Sequence, residues 1–123
     1  MKTFKYLLCG AIFASSTAGA SGVMMEMFSM NRDMIQLTKA NSVADFNQAA
    51  EQFLVAAVKA QQTMPNSLQG DENAFKGYQA GMQEVIDVVK NAQQLAEKGD
   101  LESAKTVISR LPDLKNQYHQ QYK

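Results

Sequence analysis

The sequence predicts an all-α protein, an antiparallel up-down-up-down four-helix bundle. Three observations carry that expectation. Apolar residues recur at spacings of three and four, with no β-branched alternation. Ala, Gln, Lys, Glu and Met are plentiful, Trp is absent, and Pro occurs only at Pro65 and Pro112, a composition that favours helix. The breaks between apolar stretches are mostly short, which forces successive helices to run antiparallel.

The chain of 123 residues begins with a segment that contributes nothing to the fold. Lys2 and Lys5 make a basic start, Tyr6 to Phe13 an apolar run, and Ala14 to Ala20 a small-residue stretch ending in an A-x-A site. That order predicts a secretory signal peptide at residues 1–20, cleaved after Ala20. The apolar run is far short of the roughly 20 residues that a spanning helix needs, so no membrane association is expected after cleavage. What remains, residues 21–123, fits one small domain.

Cys9 leaves with the leader, and the mature chain has no cysteine. A disulfide framework, a thiolate metal site and a C-x-x-C-H attachment are therefore excluded. Ten Lys and Arg face twelve Asp and Glu in the mature chain, with no basic block, so nucleic acid is not an expected partner. Methionine is the unusual feature: the chain has eight, and Met24, Met25, Met27 and Met30 fall close together.

The first helix is expected from about Val23 to Ala40, with Met27, Met30, Met34 and Leu37 on one face. Asn41 and Ser42 break it. Ser42 caps the second helix, and Asp45 sits in its first turn, where a carboxylate suits the dipole. The buried stripe there is Phe46, Ala50, Phe53, Ala57 and Ala60, mostly small residues that let neighbouring helices approach. Pro65, Asn66, Ser67 and Gly70 mark the one long connection, from Thr63 to Asp71.

The third helix is expected from about Glu72 to Lys98, its stripe running from Phe75 and Tyr78 through Met82, Ile86 and Val89 to Leu95. Gly99 stops it as a C-terminal glycine does. Asp100 caps the fourth helix, which carries Leu101, Ala104, Ile108 and Leu111 inward and reaches the chain end. Pro112 breaks a rule there, because it lacks the amide that would bond to Ile108. A kink or a helix restart is predicted at Leu111-Pro112.

His119 is the single histidine. At about 100° per residue it lies about 20° from Ile108 and about 80° from Leu111, on the inward arc of the fourth helix. Many such histidines are simply half buried in a core. Topology adds a second reading, since the first and last helices of such a bundle are adjacent and antiparallel. Met27 and His119 are then each roughly 6 Å from the same end. A thioether facing an imidazole is the ligand pair of a six-coordinate haem iron suited to electron transfer. Met24, Met30 and Met34, one or two turns away, are core filler or competing sulfurs.

Phe75, Tyr78, Tyr118 and Tyr122 are candidates to wall a flat macrocycle, or ordinary core and rim aromatics. Lys115 and Lys123 stand four residues either side of His119, placed to pair with haem propionates or to complement the helix dipole.

The closing run Lys115-Asn116-Gln117-Tyr118-His119-Gln120-Gln121-Tyr122-Lys123 resembles that of the cytochrome b562 family, in which the histidine ligand sits between two tyrosines and basic residues. Met27-Phe28-Ser29-Met30-Asn31-Arg32-Asp33-Met34 is similar to the family segment whose first methionine is the other axial ligand. Lys39-Ala40-Asn41, Ala60-Gln61, Pro65, Leu68, Gly81 and Ala96-Glu97-Lys98-Gly99 match in register between them. The chain departs from the pattern at Tyr78 and Met82, where the family has aromatics beside the haem, at Lys115, commonly arginine, in a shorter central loop, and at Pro112.

The resemblance implies a monomeric periplasmic one-electron carrier with one non-covalent haem b and no enzymatic activity. Met27 and His119 are the implied iron ligands; Tyr78, Met82, Lys115, Tyr118 and Lys123 surround the haem. Its donor and acceptor are unidentified periplasmic redox partners. Two rival readings remain from the residues alone. One is a haem-free periplasmic helical bundle acting as a binding or stress-adaptor module. The other is copper handling through Met24, Met25, Met27 and Met30, since thioethers suit Cu(I).

Overall fold

The computed structural model describes the backbone over residues 23–122, and the side chains of that range apart from Tyr118, His119, Gln121 and Tyr122. The expected leader at 1–20 and the expected propionate partner Lys123 lie outside the described residues.

The elements follow the predicted order. Helix α1 spans Met24–Lys39, α2 Val43–Gln62, α3 Glu72–Glu97, α4 Leu101–Ile108 and α5 Leu111–Tyr122, with a 3-10 turn at Asn66–Leu68 between α2 and α3. There is no strand among the described residues. Helix α1 packs on α2, α2 on α3, α3 on both α4 and α5, and α4 returns to α1. Together α4 and α5 form the fourth rod, and the bundle closes. No helix among the described residues is long and apolar enough to cross a membrane.

Local chemistry sets each boundary. The Ser42 hydroxyl accepts from the Asp45 amide at 3.1 Å, starting α2. Asp71 Oδ1 accepts from the Ala74 amide at 3.1 Å, and Asp100 Oδ1 from the Ser103 amide at 3.0 Å. Each carboxylate or hydroxyl satisfies an amide that has no partner inside its own helix. The Ser103 backbone amide, and after it the Ser103 hydroxyl, hold the Asp100 carboxyl below the usual carboxylate range.

Helix α3 ends at Gly99, whose φ of 89° is open to glycine and costly for other residues. There the Gly99 amide bonds to the Ala96 carbonyl at 2.9 Å and the Asp100 amide to the Leu95 carbonyl at 3.0 Å. These are the paired bonds of a Schellman motif.

The fourth rod breaks where Pro112 required it to. The Ser109 amide still bonds to Lys105 O at 3.0 Å, the Arg110 amide tightens onto Val107 O at 3.2 Å, and the Leu114 amide then bonds to Arg110 O at 3.1 Å. Helix α5 thus restarts at Leu111. Pro112 falls in its first turn, where a missing amide leaves no bond unmade.

The core follows the predicted stripes. Leu37, Phe46, Ala50, Phe53, Ala57 and Ala60 are buried between α1 and α2, and Ile86, Val89, Ala92, Ala104 and Ile108 continue it through α3 and α4. Alanines on α2 allow close approach, and polar bonds fix its register on α3. Gln61 Nε2 donates to Gln79 O at 3.0 Å and to Gln83 Oε1 at 2.9 Å, and Gln79 Nε2 returns a bond to Gln61 O at 3.1 Å. One buried group was not foreseen. Asp33 on α1 is 1% exposed; its Oδ1 lies 3.4 Å from Arg32 Nε, and its Oδ2 has no hydrogen-bond partner among the described residues.

Candidate functional site

A cleft of about 530 Å3 opens between the N-terminal half of α1, the first half of α3, the Pro65–Ser67 segment and α5. That size lies within the ~300–1,000 Å3 typical of cofactor and small-molecule sites. Helix α1 supplies Met27 and Met30, α3 supplies Tyr78, Gly81 and Met82, and α5 supplies Leu111 and Lys115. The wall is apolar, with Asn31, Ser67, Lys115 and Tyr78 as its polar members. Such a surface suits a flat, largely apolar group with few fixed polar contacts.

Four of the seven residues expected at the site, Met27, Tyr78, Met82 and Lys115, line this one cleft. The side chains of Tyr118 and His119, together with Lys123, lie outside the described residues. The backbone of His119 is part of α5, one turn beyond Lys115.

Among the described residues, a surface hydrogen bond joins α5 to α1. Lys115 Nζ donates to Asn31 Oδ1 at 3.1 Å, across 84 positions of sequence. Met27 is one turn before Asn31 on α1, and His119 one turn after Lys115 on α5. In antiparallel helices those steps run the same way along the bundle.

Tyr78 does more than face the cleft. Its hydroxyl donates to the Ala60 carbonyl at 2.8 Å, tying α3 to α2. Its ring stacks on Phe75, with centroids 6.1 Å apart and planes 18° from parallel. Burial, and secondarily the charge of Glu26, raises the phenol well above its ordinary range, so it stays a neutral donor. Met82 is buried at 7% exposed, filling as a flexible thioether the place where an aromatic was the expected wall.

Several lining residues were named from sequence as core or turn residues, or not at all, and none as part of the site. Phe53, Pro65, Gly81, Val85 and Leu111 reach the cleft from α2, the connection, α3 and α5. Each reads as core or turn in its own segment. Phe28, 75% exposed, and Met24, 69% exposed, stand at the mouth.

Comparison with known proteins bears on the family of the chain. The family model described as cytochrome b562 matches residues 22–123. An uncharacterized protein of Pasteurella multocida is 37% identical over 123 residues, covering 99% of this chain and 98% of that protein. A Yersinia pestis protein named "Probable soluble cytochrome b562 2" is 31% identical over 126 residues, covering 99% and 98%. A second from that organism, "Probable soluble cytochrome b562 1", is 22% identical, covering 98% and 92%.

Proposed function

Because the chain belongs to the cytochrome b562 family, we propose that it is a periplasmic one-electron carrier holding a single non-covalent haem b in the α1–α3–α5 cleft. The observation that carries this reading is the convergence of Met27, Tyr78, Met82 and Lys115 on one apolar cavity of about 530 Å3, with Lys115 hydrogen-bonded across to Asn31 on α1. A haem bound there supplies a one-electron ferric/ferrous couple.

Met27 would give the sulfur ligand and His119 the imidazole nitrogen to a bound haem. Tyr78 and Met82 form the wall on the α3 side, excluding water and lowering the local dielectric. A thioether ligand and an apolar wall both favour the less charged ferrous state. Lys115 and Lys123 would pair with the propionates, and Tyr118 would be a further haem contact. Residues 1–20 direct export and are removed, and the family match beginning at residue 22 is in keeping with that. The electron donor and acceptor are other periplasmic proteins.

The test is the absorption spectrum of the purified protein titrated with hemin. A sharp Soret band with split visible bands on reduction is the expected result, with one equivalent bound. A colourless protein that does not take up hemin refutes the reading. Met27→Ala is expected to give a high-spin spectrum with helical circular dichroism retained. An unchanged low-spin spectrum would assign the sulfur ligand elsewhere.

A further inference from the structure

One thioether is enough for the proposed haem, yet Met24, Met27, Met30, Met34 and Met82 all line the cleft. Met24, Met27 and Met30 follow at successive three-residue steps on one face of α1, with Cβ atoms of neighbours about 5–6 Å apart. Met82 faces them from α3. Their exposure is graded: Met24 is 69% exposed at the mouth, whereas Met30 and Met82 are 8% and 7% exposed inside. Met25 stands apart, 63% exposed and outside the lining. The sulfur set expected from sequence therefore loses Met25 and gains Met34 and Met82.

Among the described residues, the rest of the wall offers little to compete with sulfur. Among the described residues no group of three or more His, Cys, Asp or Glu could hold a metal ion. Hard cations such as Mg2+ and Ca2+ need carboxylate and carbonyl oxygens, and Zn2+ needs imidazole or thiolate. Neutral thioethers suit a soft monovalent ion. A balancing charge is close by: the Glu26 carboxylate acts on Tyr78, a lining residue, and Glu26 Oε1 is buried with no hydrogen-bond partner among the described residues.

We propose that the haem-free cleft binds one Cu(I), coordinated by the Met27, Met30 and Met82 sulfurs, with Met24 as the sulfur first met at the mouth. The step is coordination alone. The ion enters and leaves as Cu(I), and no bond or redox state of the protein changes. The site shares its space with the proposed haem, so the two ligands exclude one another, but neither reading requires the other.

The test uses the protein from Ser21 onward, purified without haem, and an anaerobic Cu(I) titration against the chromophoric competitor bicinchoninate. One equivalent is expected to bind, and an equimolar addition of hemin beforehand to block it. X-ray absorption is expected to show sulfur as the only copper neighbour. Loss of even an outer-shell partner costs a metal site 10–100-fold in affinity, so Met30→Leu and Met82→Leu are each expected to weaken Cu(I) by at least about tenfold. Leucine is close in volume to methionine, and circular dichroism verifies that each variant remains folded. Met25→Leu should bind like the parent. Failure to compete with bicinchoninate, copper bound through nitrogen or oxygen, or variants at Met30 and Met82 that match the parent would each overturn the proposal. Copper uptake by a protein that refuses hemin would instead overturn only the haem reading.

Discussion

Replacing Tyr78 by Phe isolates one buried hydroxyl and gives a signed pH dependence. The hydroxyl donates to the Ala60 carbonyl at 2.8 Å from a side chain that is 6% exposed. A hydrogen bond of this kind contributes about 0.5–1.5 kcal/mol net, so Tyr78→Phe is expected to cost about 1 kcal/mol at pH 8. The phenol is raised in the fold from its ordinary value of 10.0, chiefly by burial and then by Glu26. A group whose folded pKa is raised stabilises fully below its unfolded pKa and progressively less as pH rises toward the folded value. The wild-type protein therefore begins to lose the Tyr78 contribution near pH 10. Each pH unit above that is about 1.4 kcal/mol, so by pH 11 the wild type and Tyr78→Phe should be nearly equal in stability. Urea unfolding followed by circular dichroism at pH 8, 10 and 11 measures the gap, and the other titrating groups, common to both proteins, cancel in the difference. A gap that stays constant across that range would show that this phenol ionises equally in both states, refuting the argument.

Three further substitutions test local features. Ser42→Ala removes the hydroxyl that accepts from the Asp45 amide and should lower unfolding free energy by about 1 kcal/mol, with little change in denaturant slope. Asp33→Asn removes a charge that is 1% exposed and has one oxygen unpartnered among the described residues; the unfolding free energy measured in urea should rise by on the order of 1 kcal/mol, because a poorly paired buried charge is costly. Gln69 holds a φ of 52°, and Gln69→Gly should gain about 0.5–1 kcal/mol, the relief of left-handed strain less the entropy of glycine; a lower melting temperature would argue against strain at that turn.

Features encoded within a few residues were legible before folding. Ser42, Gly99 and Asp100 act on amides or carbonyls close in sequence, and Pro112 breaks its rod through its own missing amide, so the motif alone locates them. Asp71 was read only as part of a connection, although its cap is equally local. Asp33 was not foreseen for another reason. It sits between Met30 and Leu37 on the inward stripe of α1, and a carboxylate carries no local signal of burial.

The candidate site was legible where a side chain announces its chemistry, as at Met27, Tyr78, Met82 and Lys115. It was hidden where neutral residues converge from distant segments: Pro65, Gly81 and Leu111 have no common pattern until the rods are stacked. The Lys115–Asn31 bond joins groups 84 positions apart. Met25 shows the opposite error, proximity in sequence mistaken for proximity in space, since neighbours on a helix point about 100° apart.

The restart at Leu111 divides the cooperativity of the last rod. A continuous helix transmits fraying along its hydrogen-bond ladder, turn by turn, whereas here the ladder is re-founded on the Arg110 carbonyl. Leu111 and Leu114 sit in the same core cluster as Ala104 and Ile108, so the two pieces of the rod are held in line by side-chain packing across the break and not by a shared ladder of backbone bonds.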